Sequence, residues 1–99
     1  MIIPIVKMVF QEEKISDFLE IFNYSKPNIL KSEGCQFVEL RVSDSNSNEL
    51  FTISHWNDEK HLELYRSSDL FKNTWKETKK LFSEKPQAWT LLDIETKKL

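Results

Sequence analysis

Two histidines, one cysteine and two tyrosines are the side chains of this 99-residue sequence able to move a proton or attack an electrophile near neutral pH. His55 stands in the stretch LFTISHW, directly before Trp56. Its ordinary pKa range suits a group that accepts a proton at pH 7, which makes it a candidate base; the competing reading is a histidine that fills the sheet or a subunit interface. Ten residues on, Tyr65 offers a phenol that can donate a hydrogen bond to a carbonyl or phenolate but is a poor base, so its candidate role is to orient a substrate. It reads equally as an interfacial aromatic. His61 falls on the polar side of a helix start and reads as solvated, and Cys35 as a small buried hydrophobe. Phe22, Trp56, Phe71 and Trp75 could wall an aromatic pocket between helices and sheet, although aromatics at helical spacing also make ordinary core.

Several chemistries are excluded on residue types alone. A single glycine leaves no phosphate-cradling loop, and no strained nucleophile elbow is present. One cysteine and two separated histidines give no metal-ligand spacing and no internal disulfide, so neither metal nor cofactor is expected and a reducing cytoplasm is the consistent compartment. Fourteen Lys and Arg against sixteen Asp and Glu, a net charge of −2, provide no electrostatic case for nucleic acid or an anionic membrane. The apolar start MIIPIVKMVF lacks a basic leader and a small-residue cleavage site and is too short to span a bilayer; it reads as a strand.

The elements that must position these groups follow from periodicity. β-branched residues predict a first strand over Ile2–Phe10, with Pro4 confining its start to an edge or a bulge. Ile15, Phe18, Phe22 and Ile29 recur at helical spacing, and Pro27 predicts a kink or restart near Ser25. Gly34 reads as a left-handed helix cap. Cys35–Val42 alternates, with Gln36, Val38, Leu40 and Val42 on one face and Cys35, Phe37, Glu39 and Arg41 on the other. The polar loop 43–49 turns it antiparallel onto Leu50–Trp56, where alternation sets His55 with Phe51 and Ile53 and sets Trp56 with Thr52 and Ser54. A helix should begin near Asp58, be jointed near Ser68 and run to about Phe82, before a last strand over Ala88–Ile94 and a charged tail, Glu95–Leu99. The order β-α-β-β-α-β over residues 1–99 is that of a single α+β, ferredoxin-like domain: an antiparallel sheet with helices on one face.

Two stretches carry a family resemblance: His55-Trp56-Asn57-Asp58 with Leu62, Tyr65 and Ser68-Asp69-Leu70-Phe71, and the segment Ser32–Leu40 with its Glu-x-Gly-Cys start. The chain resembles the antibiotic biosynthesis monooxygenase domain, which implies a dimeric α+β barrel. It also implies a cofactor-independent oxygenase acting on a small electron-rich aromatic such as a quinol. Tyr65 stands where many members of that family carry a pocket histidine, which favours a rival reading, a non-catalytic dimeric binding or stress-response module; a small-metabolite isomerase, also known on this fold, is a third and would need a small polar pocket. Haem-degrading enzymes share the fold, but Trp75 occupies the place of their haem-ligating histidine.

Overall fold

The computed structural model describes residues 1–97. The elements are β1 (Ile2–Val9), a 3-10 turn (Glu12–Lys14), α1 (Ile15–Leu30), β2 (Cys35–Val42), β3 (Glu49–Trp56), α2 (Glu59–Arg66), α3 (Asp69–Lys79), β4 (Gln87–Leu92) and a short final helix α4 (Ile94–Lys97). The strands form one antiparallel sheet in the order β2-β3-β1-β4. The sheet is open, and α1, α2 and α3 cover one of its faces. Alternation along the strands turns Ile2, Pro4, Val6 and Met8 of β1, and Leu50, Thr52, Ser54 and Trp56 of β3, toward the helices. The core is there: Phe10, Phe18, Phe22, Val38, Leu50, Trp56 and Leu62 are buried together.

One expectation is narrowed and three are corrected. β1 is an interior strand, paired with β3 and β4, and Pro4 is tolerated there because the β1–β3 pairing has no Cα partners at Ile3 and Pro4 between Ile2↔Trp56 and Ile5↔Ile53. The missing N–H falls in that gap. α1 passes Pro27 without restarting; Phe18, Phe22, Ser25 and Ile29 lie buried along it, and that anchoring outweighs one lost backbone bond. A bulge between Cys35 and Phe37 sets Cys35 opposite Trp56, so the thiol joins the core side and not the Phe37 face. The last strand ends at Leu92, and Ile94 opens α4, which takes up Glu95–Lys97; Lys98 and Leu99 of the tail lie outside the described residues.

Caps set the joint at the centre of the chain. Asp58 accepts the His61 amide at 2.9 Å to start α2, and Ser68 accepts the Phe71 amide at 3.2 Å to start α3. Gly34, at φ 83°, supplies the left-handed turn into β2. A second constraint acts on it as well: a Cβ there would overlap the His61 ring, which packs directly over the glycine.

Candidate active site

Large side chains on the helices and small hydroxyl residues on β3 leave space between the two layers. The result is a cavity of about 120 Å³, walled by Met8, Val38, Thr52 and Trp56 from the sheet and by Phe22, Tyr65, Phe71 and Trp75 from the helices. An apolar cavity of about 150 Å³ admits benzene, so this one, somewhat smaller, is at the lower limit of single-ring size.

The rings are continuous around it. Trp56 stacks on Tyr65 at 4.8 Å, Tyr65 meets Phe71 edge-on at 5.2 Å, and Phe71 lies parallel to Trp75 at 6.1 Å. From Trp75 the contacts pass through Phe82 and Phe10 to Phe18 and Phe22 on the opposite wall. Such offset and edge contacts fix ring orientation beyond what burial alone supplies. Trp56 is fully buried, and its indole N–H donates to Ser54 Oγ at 3.0 Å. That indole is therefore committed to the scaffold, while the Ser54 hydroxyl proton remains free to donate.

Tyr65 comes into this space from the last turn of α2, and its hydroxyl has no hydrogen-bond partner among the described residues. Burial, with a smaller contribution from the adjacent Cys35, pushes its phenol up to about 12. It is a neutral donor across the physiological range. Burial also pushes the Cys35 thiol up, partly offset by a backbone hydrogen bond from Phe37. Arg66 reaches the cavity edge, with one guanidinium nitrogen 3.0 Å from Glu63 Oε1. Among the described lining residues none is a carboxylate, histidine or lysine.

Of the residues singled out from the sequence, Tyr65, Phe22, Trp56, Phe71 and Trp75 are brought together around one cavity. His55 is not. It points from the opposite, open face of the sheet, its ring 5.0 Å from Phe37 and nearly perpendicular to it, so the sheet itself separates it from Tyr65. His61 also stands apart, with Nδ1 2.7 Å from Asp58 Oδ1 and Nε2 3.6 Å from Glu33. The Asp58 carboxyl is held below its usual range by the His61 amide and ring. Ser25, Thr74 and Thr78 were not singled out, yet all three line the cavity. A signal existed: Ser25 continues the stripe Ile15, Phe18, Phe22, Ile29, and Thr74 and Thr78 share the face of Phe71, Trp75 and Phe82.

No three His, Cys, Asp or Glu side chains among the described residues are grouped so as to hold a metal ion, and no helix among them is long and apolar enough to cross a membrane. The fold and cavity define a class, a ferredoxin-like α+β domain with an aromatic-walled chamber between helices and sheet. Within it, the chain belongs to the antibiotic biosynthesis monooxygenase family, whose sequence profile matches residues 1–77. Solved structures share the fold throughout. A conserved protein from Methanosarcina mazei superposes with a TM-score of 0.86 at 23% identity, covering 92% of this chain and 91% of its own. A protein from Mycobacterium tuberculosis gives 0.86 at 15% identity, covering 93% of each chain. A structure described as an antibiotic biosynthesis monooxygenase gives 0.87 at 14% identity, covering 94% of this chain and 98% of its own. No curated protein matches the sequence.

Proposed function

We propose that the protein is a cofactor-independent monooxygenase that oxidises a small quinol-type aromatic held in the cavity beside Tyr65. The observation that carries this reading is an aromatic chamber of about ring size into which a neutral phenol, without a partner among the described residues, brings a hydrogen-bond donor. A quinol ring lies against the Phe71 and Trp75 side of the chamber, and Tyr65 donates to one of its oxygens. The stoichiometry closes without an added reductant: hydroquinone and one dioxygen give hydroxyquinone and water, all four electrons coming from the substrate. Electron transfer to dioxygen begins from the substrate anion. Tyr65 stabilises that anion by a hydrogen bond whose strength rises as charge gathers on the oxygen, within a site that excludes bulk water.

Because Tyr65 holds its proton to about 12, the pH dependence of turnover belongs to the substrate. The rate rises as the quinol ionises in solution, with no enzyme group of pKa near 7 in the profile. Oxygen uptake by metal-free protein supplied with quinols tests the reading. Tyr65→Phe keeps the ring and deletes one hydrogen bond, so it should cost roughly 1–3 kcal/mol of transition-state stabilisation. His55→Ala should leave turnover close to that of the parent protein. Wild-type turnover in Tyr65→Phe would remove Tyr65 from the mechanism.

The lack of a carboxylate, histidine or lysine to take a proton among the described lining residues favours a second reading, a binding module that takes the same ligands without turning them over. Binding without oxygen uptake across a panel of quinols selects it.

We also propose a homodimer formed through the open face of the sheet. Ile3, Ile5, Phe51 and Ile53 lie there beside Phe37, Trp89 and Leu91, which are 38%, 47% and 49% exposed. A contiguous apolar surface of this kind is stabilised by a like surface on a second copy, which buries both at once.

A further inference from the structure

Outside the cavity, between α1 and α3, runs a groove of about 550 Å³ lined by Glu20, Tyr24, Leu70, Asn73 and Glu77. Groove and cavity have three lining residues in common: Ile21, Ser25 and Thr74. The partition between them is thus one side chain thick. At its centre Ser25 Oγ faces Thr74 Oγ1 at 3.4 Å, well beyond the 2.5–3.0 Å range of a good hydroxyl pair. Ser25 is 4% exposed and lies on the buried stripe of α1, where an apolar residue would serve packing better. The nearby Thr78 hydroxyl is already satisfied, donating to the Thr74 carbonyl at 2.7 Å. Pro27 has no N–H to give the carbonyl of Asn23, so the turn of α1 that carries Ser25 has one backbone bond fewer than its neighbours.

We propose that the α1–α3 groove is the second compartment of the cavity's ligand site, with Ser25 and Thr74 as the doorway between them. The proposal rests on the reading of the cavity as a ligand chamber. A ring of single-ring size fills the inner space, and any substituent longer than a methyl group must leave it. The weak Ser25–Thr74 contact is the place where it leaves, because a ligand oxygen or nitrogen passing there can bond both hydroxyls in place of their long bond to each other. Beyond the doorway the substituent meets the Tyr24 hydroxyl, the Asn73 amide and two carboxylates, of which Glu77 also takes Lys80 Nζ at 3.2 Å. The two carboxylates accept hydrogen bonds and repel anions, while the Tyr24 hydroxyl and the Asn73 amide can donate or accept. The ligand class is therefore a single aromatic ring bearing one flexible arm that is neutral or cationic and carries N–H or O–H donors.

Three probes sharing one ring separate the compartments: catechol, dopamine with an ammonium arm, and 3,4-dihydroxyphenylpropionate with a carboxylate arm, each titrated anaerobically by tryptophan fluorescence. Dopamine should bind about tenfold tighter than catechol, the worth of one or two added hydrogen bonds, and the carboxylate compound no tighter than catechol. In Glu20→Gln/Glu77→Gln the two arms should become equivalent. Equal affinity for all three probes, or an arm preference unchanged in that variant, overturns the groove assignment while leaving the cavity reading intact. Failure of all three to bind defeats the cavity reading and the inference with it. The doorway is tested separately with Ser25→Cys/Thr74→Cys in a Cys35→Ser background. Oxidation should bring dopamine down to the affinity of catechol, and dithiothreitol should restore its roughly tenfold advantage; an arm preference equal in both redox states places the doorway elsewhere.

Discussion

Tyr65 and Gly34 show how much one residue can settle. The phenol of Tyr65 titrates at about 12 in the folded protein, above its ordinary 10.0, because burial disfavours the phenolate. A group whose folded pKa is raised stabilises the fold fully below its unfolded value, and that contribution is lost as pH rises from 10 through 12. Ultraviolet titration should therefore show a tyrosinate component near pH 12 that is missing in Tyr65→Phe. A component at pH 10 that vanishes with Tyr65 would contradict the burial. At Gly34 two demands coincide, a left-handed backbone and clearance for the His61 ring. Gly34→Ala should cost roughly 1–3 kcal/mol in urea unfolding, little of it recovered by adding His61→Ala, which removes the ring but leaves the His61 Cβ 2.5 Å from the new methyl and the backbone strain in place. The left-handed turn was legible in the sequence, since the only glycine follows a helix pattern. The histidine above it was not, because nothing local links residue 34 to residue 61.

The elements were read well wherever one periodicity ruled, and less well where a single residue competed with it. β2 and the jointed α2–α3 unit follow directly from alternation and from the Asp58 and Ser68 caps. Pro4 predicts an edge or a bulge, and of the two the structure takes an irregularity: β1 lies inside the sheet, with the proline where pairing with β3 lapses. The bulge before Phe37 was invisible for a related reason: an inserted residue changes a partner's register without altering the composition of its own strand. His55 illustrates the limit for the site. Alternation placed it correctly opposite Trp56, but which face holds the cavity depends on where the helices dock. The hydroxyl residues Ser25 and Thr74 were passed over because Ser and Thr within a helix read as cap or polar face, although their positions match the apolar stripes. Asp58 gives this scale its own test. Its folded pKa lies below 3.8, so its contribution is present above that value and lost as pH falls through the lower folded one. Asp58→Asn should flatten the decline of Tm between pH 4 and pH 2; an unchanged acid limb would mean that the cap carries no linkage.

At the scale of the whole molecule, the sheet divides two surfaces, one covered by the helices that forms the cavity and an open one that the proposed dimer would cover. Ile53 sits in the middle of the open face, paired with Ile5 and Glu39, and Ile53→Lys should convert a dimer into a folded monomer in sedimentation. A parent protein that sediments as a monomer at micromolar concentration would refute the dimer. The same division has a spectroscopic consequence. Trp56 and Trp75 border the cavity, whereas Trp89 stands opposite Ile5 on the far side of the sheet. Three indoles thus form two independent optical channels through one sheet. With Trp89→Phe the emission reports the chamber alone, and with Trp56 and Trp75 replaced by Phe it reports the open face, so ligand uptake and the proposed self-association can be followed separately in a pair of variants under one set of conditions.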